Sequence, residues 1–250
     1  MASAQGSALA IAVSNARALG SLPCGMLSID EMRAELAVIR AATRHPFNVN
    51  FFAFPPPKPD LKRDADWRAL LAPYYRELEI DAASVPSGPA RAPFNKEQAD
   101  VLAEFRPAVV SFHFGLPAPE LLARVRGIGA KIISSATTVE EARQLEAQGV
   151  DAIIAQGLEA GGHRGSFLEF DLTAQAGTLA LVPQVVRAVN LPVIAAGGIA
   201  DENGVAAAMA LGAAGVQVGT AYLLCPEAST SAVLRAALKS EASRRTVLTN

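Results

Sequence analysis

The residues best placed to do chemistry lie in the stretch AIIAQGLEAGGHRGSF, residues 152–167. It holds His163, one of three histidines among 250 residues. Gly157, Gly161, Gly162 and Gly165 surround it. So many glycines permit positive φ angles and close approach to a flat ligand. An imidazole titrates near pH 6.5 (approximately) and can take a proton at neutral pH. The plainer reading is a solvated loop histidine beside Arg164, and the residues alone leave both open. Glu159 reads better as an anchor for backbone N–H groups than as a second catalytic group. Two further stretches, AAGGIAD (195–201) and VQVGTAY (216–222), place small residues where backbone N–H groups become accessible. Such loops bind phosphate, helped by the dipole of an adjacent helix. The two cysteines, Cys24 and Cys225, form no CxxC pair, so neither a zinc site nor a disulfide framework is indicated. Both read as free, buried thiols of a reducing compartment.

These residues need elements to bring them together. Short apolar runs recur at 18–22, 47–54, 108–115, 131–136, 152–157, 192–198 and 215–223. They do not alternate with polar residues, which suits strands buried on both faces. Helical patterns fill the gaps. TTVEEARQLEAQGV starts with a capping-box pattern, Thr138 to Glu141, and stops at Gly149. Asp201 caps a helix that stops near Gly212, and Ser28 caps another. Repeated strand and helix imply a parallel sheet. The runs starting at 108, 131, 152, 192 and 215 are spaced by 23, 21, 40 and 23 residues. That regularity predicts an α/β fold, a TIM (β/α)8-type barrel, with only seven strands found and strand one missing.

The whole chain then reads as a single barrel domain, 1–250, with an excursion at about 55–107 over the barrel mouth. The excursion opens with PPPKPD, a stiff Pro-rich exit, and carries two helices. Active sites of such barrels lie where strands end. Asn50, His113, Ser134, Ser135, Gln156, Gly197, Gly198, Gly219 and Thr220 fall there. The last two strand ends read as a phosphate site, with tight turns in a crowded barrel as the plainer alternative. His113 reads as a hydrogen-bonded wall residue, and His45, at the other end, as surface.

Composition narrows the partners. The chain is 51% hydrophobic, enough for a sizeable core, with a formal charge of −2. With no basic stripe, nucleic acid and anionic membrane are not expected partners. No apolar run approaches the roughly 20 residues of a membrane span, and the N-terminus lacks a basic region ahead of its apolar run. The expected location is the cytoplasm. The oligomeric state is not readable.

AQGLEAGGHRGSF, PVIAAGGIAD and GVQVGTAYL, in this order, resemble the nitronate monooxygenases, formerly called 2-nitropropane dioxygenases. SNARALGSLPCGMLS, FNVNFFAF and SFHFGLP fit the same family, so the resemblance covers nearly the whole chain. It implies a TIM barrel that binds FMN and oxidises alkyl nitronates with O2 to a carbonyl compound and nitrite. It implies that His163 is the catalytic base, and that Asn50, Gln156, Gly161, Gly198, Gln217, Val218, Gly219 and Thr220 contact FMN. Asn50 and Gln156 would meet the polar edge of the flavin ring. No metal is implied.

The chain departs from the family pattern in three places. Met1 falls where the family's first strand ends, Arg17-Ala18 replaces a Gly-Gly pair, and the chain stops at TVLTN, where relatives continue. The expectation is a family member truncated at both ends, with open strand edges. Three alternatives stand beside it. One is an FMN-dependent enoyl-acyl-carrier-protein reductase using NAD(P)H. Another is a non-flavin barrel binding a phosphorylated substrate. The last is an inactive fragment of the family.

Overall fold

In a computed structural model, seven strands form at the seven apolar runs: β1 Gly20–Pro23, β2 Phe47–Phe52, β3 Val109–His113, β4 Lys131–Ala136, β5 Ala152–Gln156, β6 Val193–Ala196 and β7 Gly215–Gln217. The structure describes residues 3–56, 58, 60–85 and 92–248. Parts of the Pro-rich exit (57 and 59) and the outermost two residues at each terminus therefore lie outside the described residues.

The sheet runs in chain order, β1 to β7, and every neighbouring pair is parallel. Parallel neighbours need a crossover, and helices supply it. α1 (Ser7–Asn15) precedes β1, and α2 (Ile29–Ala42) joins β1 to β2. α3 (Leu61–Glu77) and α4 (Lys96–Phe105) lie between β2 and β3. α5 (Pro119–Gly127), α6 (Val139–Ala147), α7 (Thr178–Ala188) and α8 (Glu202–Ala210) follow β3, β4, β5 and β6, and α9 (Ala232–Leu238) comes last. No pairing joins β7 to β1 among the described residues. This is a (β/α)8-type barrel short of one strand. α1, which packs on β1, meets the turn after β7 around a cavity of about 170 Å³ lined by Leu9, Val13, Tyr222 and Cys225 among others.

Side-chain alternation divides the strands into two faces. Val49, Phe51, Val110, Phe112, Ile132, Ile153, Ala155, Val193 and Ala195 join Met32, Leu36 and Ile39 of α2 and Leu181, Val182 and Val185 of α7 in the main core. Each large side chain buried there contributes roughly 1.5–3 kcal/mol. The inner face holds a smaller cluster, Ile133, Ala152, Ile154 and Ala196, flanked by Val109 and Ile194. Here the strand reading needs correction. β2 does alternate: Asn48 and Asn50 point inward between Phe47, Val49 and Phe51. Asn48 Nδ2 donates to Ser21 Oγ and to Ser111 Oγ, both at 2.8 Å.

Caps fix the helix starts. Ser28 and Glu31 form a reciprocal capping box, and Asp201 accepts from Gly204 N. Thr138 accepts from Glu141 N, but the Glu141 side chain does not return to Thr138. Gly149 (φ +79°) and Gly212 (φ +95°) stop their helices in the left-handed conformation. β7 is shorter than its apolar run, because a 3₁₀ turn, Thr220–Leu224, takes over after Gly219. Cys24 is buried and Cys225 only partly so, and both are free.

The chain divides into two compact units, residues 1–54 with 93–250, and Pro55–Ala92. The smaller unit is built on α3, capped by Asp60, with no buried residue. α4 belongs to the larger unit, where Gln98, Ala99, Val101 and Leu102 are buried and it packs on α2 and α5. No helix of the described residues is long and apolar enough to cross a membrane.

Candidate active site

Register brings the candidates to one rim. Phe52 pairs with His113, Gln156 with Ala196, and Ala196 with Gln217, so the C-terminal ends of β2, β3, β5, β6 and β7 lie along the same edge.

His163 sits just beyond β5, exposed to solvent. Its ring lies 6.2 Å from that of Phe52 and 5.9 Å from that of Phe114, nearly perpendicular to the latter at 83°. Neither ring nitrogen has a hydrogen-bond partner among the described residues, whereas the backbone is held firmly. The His163 carbonyl accepts from Gln156 Nε2 at 3.1 Å and faces His113 Nε2 at 3.2 Å. Gly165 N donates to Gln156 Oε1 at 2.7 Å. A Cβ on Gly165 would stand 2.7 Å from His113 Cε1, so this glycine is required by close approach. Arg164 turns back: its guanidinium donates to the carbonyls of Gln156 and Gly157, capping the end of β5.

His113 is the wall residue expected. A carbonyl can only accept, so Nε2 carries the proton, and Nδ1 accepts from Ser135 Oγ at 3.0 Å. Burial pushes its pKa down to about 4, which keeps it neutral at pH 7. The next residue, Phe114, has φ +70°, a conformation a bulky side chain seldom adopts. That turn aims the Phe114 ring at His163.

Two carboxylates tie the loop down. Glu159 Oε2 accepts from Thr178 N at 2.8 Å and from Thr178 Oγ1 at 2.9 Å. Gly177, the N-cap of α7, has no side chain to offer, so Glu159 caps the helix from a distance. Burial tends to raise the Glu159 pKa, but the Thr178 donors and the Arg164 charge outweigh it and hold it below the ordinary range. Glu141, fully buried, accepts from Phe167 N at 2.6 Å and Leu168 N at 3.0 Å.

The glycine pairs form a second cluster. Gly197 (φ +117°) and Gly198 (φ +69°) turn the chain after β6. A Cβ on Gly198 would lie 3.1 Å from Glu159 Cβ, and one on Gly161 only 2.8 Å from Thr220 Oγ1. Gly161, Gly198 and Thr220 therefore border one loop. Gln217 is exposed and Val218 and Gly219 partly so, on the β7 side of the opening. Asn50 is half-buried on β2, donating to Ser111 Oγ at 2.7 Å. Both ends of the Gln156 amide hold the His163 loop.

Sequence reasoning missed Phe52, Phe114, Asn48, Ser111 and Glu141. The Asn-x-Asn spacing of β2 was a readable signal for the polar inner face. Glu141 was hidden behind a capping-box pattern.

Known proteins resemble this chain over most of its length. A nitronate monooxygenase of Paraburkholderia phytofirmans is 43% identical over 254 residues, covering 100% of this chain and 68% of that protein. One of Pseudomonas aeruginosa is 43% identical, covering 97% of this chain and 69% of that protein. Among solved structures, nitroalkane oxidase from Streptomyces ansochromogenes superposes with a TM-score of 0.90 at 40% identity, over 100% of this chain and 71% of that one. FabK from Thermotoga maritima does so at 0.70 and 32% identity, over 96% of this chain and 62% of that one. The nitronate monooxygenase family matches residues 1–250, and the chain belongs to that family of oxidoreductases.

Proposed function

We propose that this chain uses FMN and O2 to oxidise alkyl nitronates to a carbonyl compound and nitrite, with His163 as the base for neutral nitroalkanes. The observation that carries the reading is the His163 loop. An imidazole whose ring nitrogens have no hydrogen-bond partner among the described residues stands at the rim, on a backbone fixed by Gln156 and His113. Its relatives' names support the substrate class.

The residues present fit FMN. The consecutive positive φ angles at Gly197 and Gly198, and the tight approach of Gly161 to Thr220, form a cradle that a Cβ would fill. Such a cradle suits a phosphate. On the inner face, Asn48 Oδ1 is a buried acceptor with no partner among the described residues. It offers a place for a donor from a flat heterocycle. Asn50, Gly161, Gly198, Gln217, Val218, Gly219 and Thr220 would hold the group. Gln156 joins them through the second amide hydrogen and lone pair that its loop contacts leave free.

When bound, FMN supplies the electron transfer to O2 that no side chain can provide. The chain's own work is to bind, orient and move a proton. His163 takes the acidic α-proton of a neutral nitroalkane and becomes a cation beside the nitronate it has made. Phe52 and Phe114 shield one flank of the imidazole from water.

The test is anaerobic mixing of FMN-reconstituted protein with ethylnitronate. Flavin bleaching, then nitrite on admitting air, is the expected result. Bleaching by NADH alone, with nitronate inert, would support the reductase reading instead. His163→Asn should lower turnover of neutral nitroethane by about 10²–10⁴-fold and that of the preformed nitronate far less, since only the former needs a base. Equal losses would remove His163 from that role.

A further inference from the structure

We propose that Glu141, on α6, is a positioning residue for the loop that carries His163. The functional part of this inference rests on the reading of His163 as a base.

A glutamate three residues after a threonine N-cap ordinarily bonds back to the cap. Glu141 does something else. Its side chain is fully buried and its two oxygens serve different segments. Oε2 accepts from Thr137 N at 2.6 Å and Thr137 Oγ1 at 2.8 Å, directly after β4. Oε1 accepts from Phe167 N at 2.6 Å and Leu168 N at 3.0 Å, 26 and 27 residues along the chain. Burying a carboxylate is costly unless donors satisfy it. Here four donors converge on it, three of them backbone N–H groups. A helix cap needs none of the contacts across to 167–168.

The location of those contacts decides the role. Phe167 and Leu168 lie four and five residues beyond His163. Upstream, Gln156 holds the loop at His163 and Gly165, and His113 holds it at His163. Downstream, residues 168–174 are exposed. Glu141 is thus the hold at the point where the exposed stretch 168–174 begins. The Phe167 ring also packs where a Cβ on Gly115 would meet it at 3.4 Å, under the turn that aims Phe114 at His163. Releasing 167–168 would loosen both the histidine and the aromatic wall beside it.

Three readouts test this. In the wild-type protein, the amides of Phe167 and Leu168 should exchange with solvent at least about tenfold more slowly than those of Phe170 and Leu172. Leu168 is itself 46% exposed, so the difference reports the carboxylate bond rather than burial. Equal exchange would overturn the proposal without any variant, even if every substitution at Glu141 fails to fold. In folded Glu141→Gln, tryptic cleavage after Arg164 should rise about tenfold or more, the change expected from losing charge-assisted hydrogen bonds, with other sites unchanged. A uniform rise at all sites would make Glu141 a general stabiliser and overturn the role. Finally, Glu141→Gln should depress kcat for neutral nitroethane about tenfold and leave the preformed nitronate near wild type. Equal loss on both substrates would overturn positioning of His163. If wild-type protein turns over neither substrate, the base reading fails, while exchange and proteolysis still decide the clamp.

Discussion

β5 and β7 both end in glutamine at the same rim, and the two glutamines have opposite fates. Gln156 is buried with both ends of its amide bonded, while Gln217 is exposed. The difference is not in the residue but in the sheet around it. β5 pairs with β4 and β6, lies against α6 and α7, and has every residue buried. Among the described residues β7 pairs with β6 alone, and none of its own residues is buried. The loop after β5 is tied by side chains from β3, β5 and α6. The loop after β7 is held mainly by Arg235, which donates to the carbonyls of Leu224, Cys225 and Ala228. The half of the rim that carries His163 is therefore preorganised by the chain itself, while the β7 half is more exposed; under the proposed function these are the proton-handling and the phosphate-binding halves.

The sharpest way to break that contrast is to shorten both glutamines. Gln156→Ala strands the buried Gly165 N–H and removes a donor from the His163 carbonyl. The expected cost is about 2–3 kcal/mol. Gln217→Ala should stay within about 0.5 kcal/mol, as exposed substitutions do. Urea unfolding of the two variants measures it, and similar midpoints would mean that the two halves are equally organised.

Next in size is a pH effect confined to the tied half. His113 has a folded pKa of about 4, pushed down by burial, against roughly 6.5 when unfolded. The unfolded chain takes the proton first, so the neutral ring stabilises the fold fully above pH ~6.5. That contribution is lost as pH falls from ~6.5 toward ~4 and changes no further below. The ring is partly in contact with solvent, so about 1–2 kcal/mol is expected rather than the full shift. Unfolding free energies measured between pH 7.5 and 4 should show this slope in the wild type and a smaller one in His113→Gln. An unchanged slope would place the titrating group elsewhere.

The strands were legible because burial on the outer face demands apolar residues, and each of the seven runs delivered one. What could not be read is what each polar residue does after burial. Asn48 and Asn50 sat inside an apolar run, and only pairing with Ser21 and Ser111 on adjacent strands shows that they form a polar ladder. Glu141 and Thr138 have the spacing of a capping box, yet the competing donors at Phe167 and Leu168 come from a segment whose approach no local pattern encodes. Gln156 was placed at the correct rim, while its bonds to His163 and Gly165 depend on the path of a glycine-rich loop. Strand ends follow from composition; contacts across loops follow from packing.

The smallest expected effect lies at the border between the two halves. Glu159 belongs to the His163 loop, but it caps α7 through Thr178 and packs against Gly198 after β6. Its carboxylate faces the N-terminus of α7, where a negative charge is favoured and where Gly177 offers no cap of its own. Glu159→Gln keeps the shape and an acceptor but removes the charge. Because the residue is exposed, the cost should be about 1 kcal/mol or less, in line with a lost cap charge. The Thr178 donors outweigh burial and hold the Glu159 pKa below the ordinary carboxylate value. This stabilisation is therefore present at neutral pH and disappears as acid protonates the folded carboxylate. Wild type and Glu159→Gln should accordingly differ in melting temperature at pH 7 and converge in acid. A difference that persists unchanged in acid would mean that shape, not charge, holds the loop to α7. In that case the border would belong to the packed half of the molecule rather than to its electrostatics.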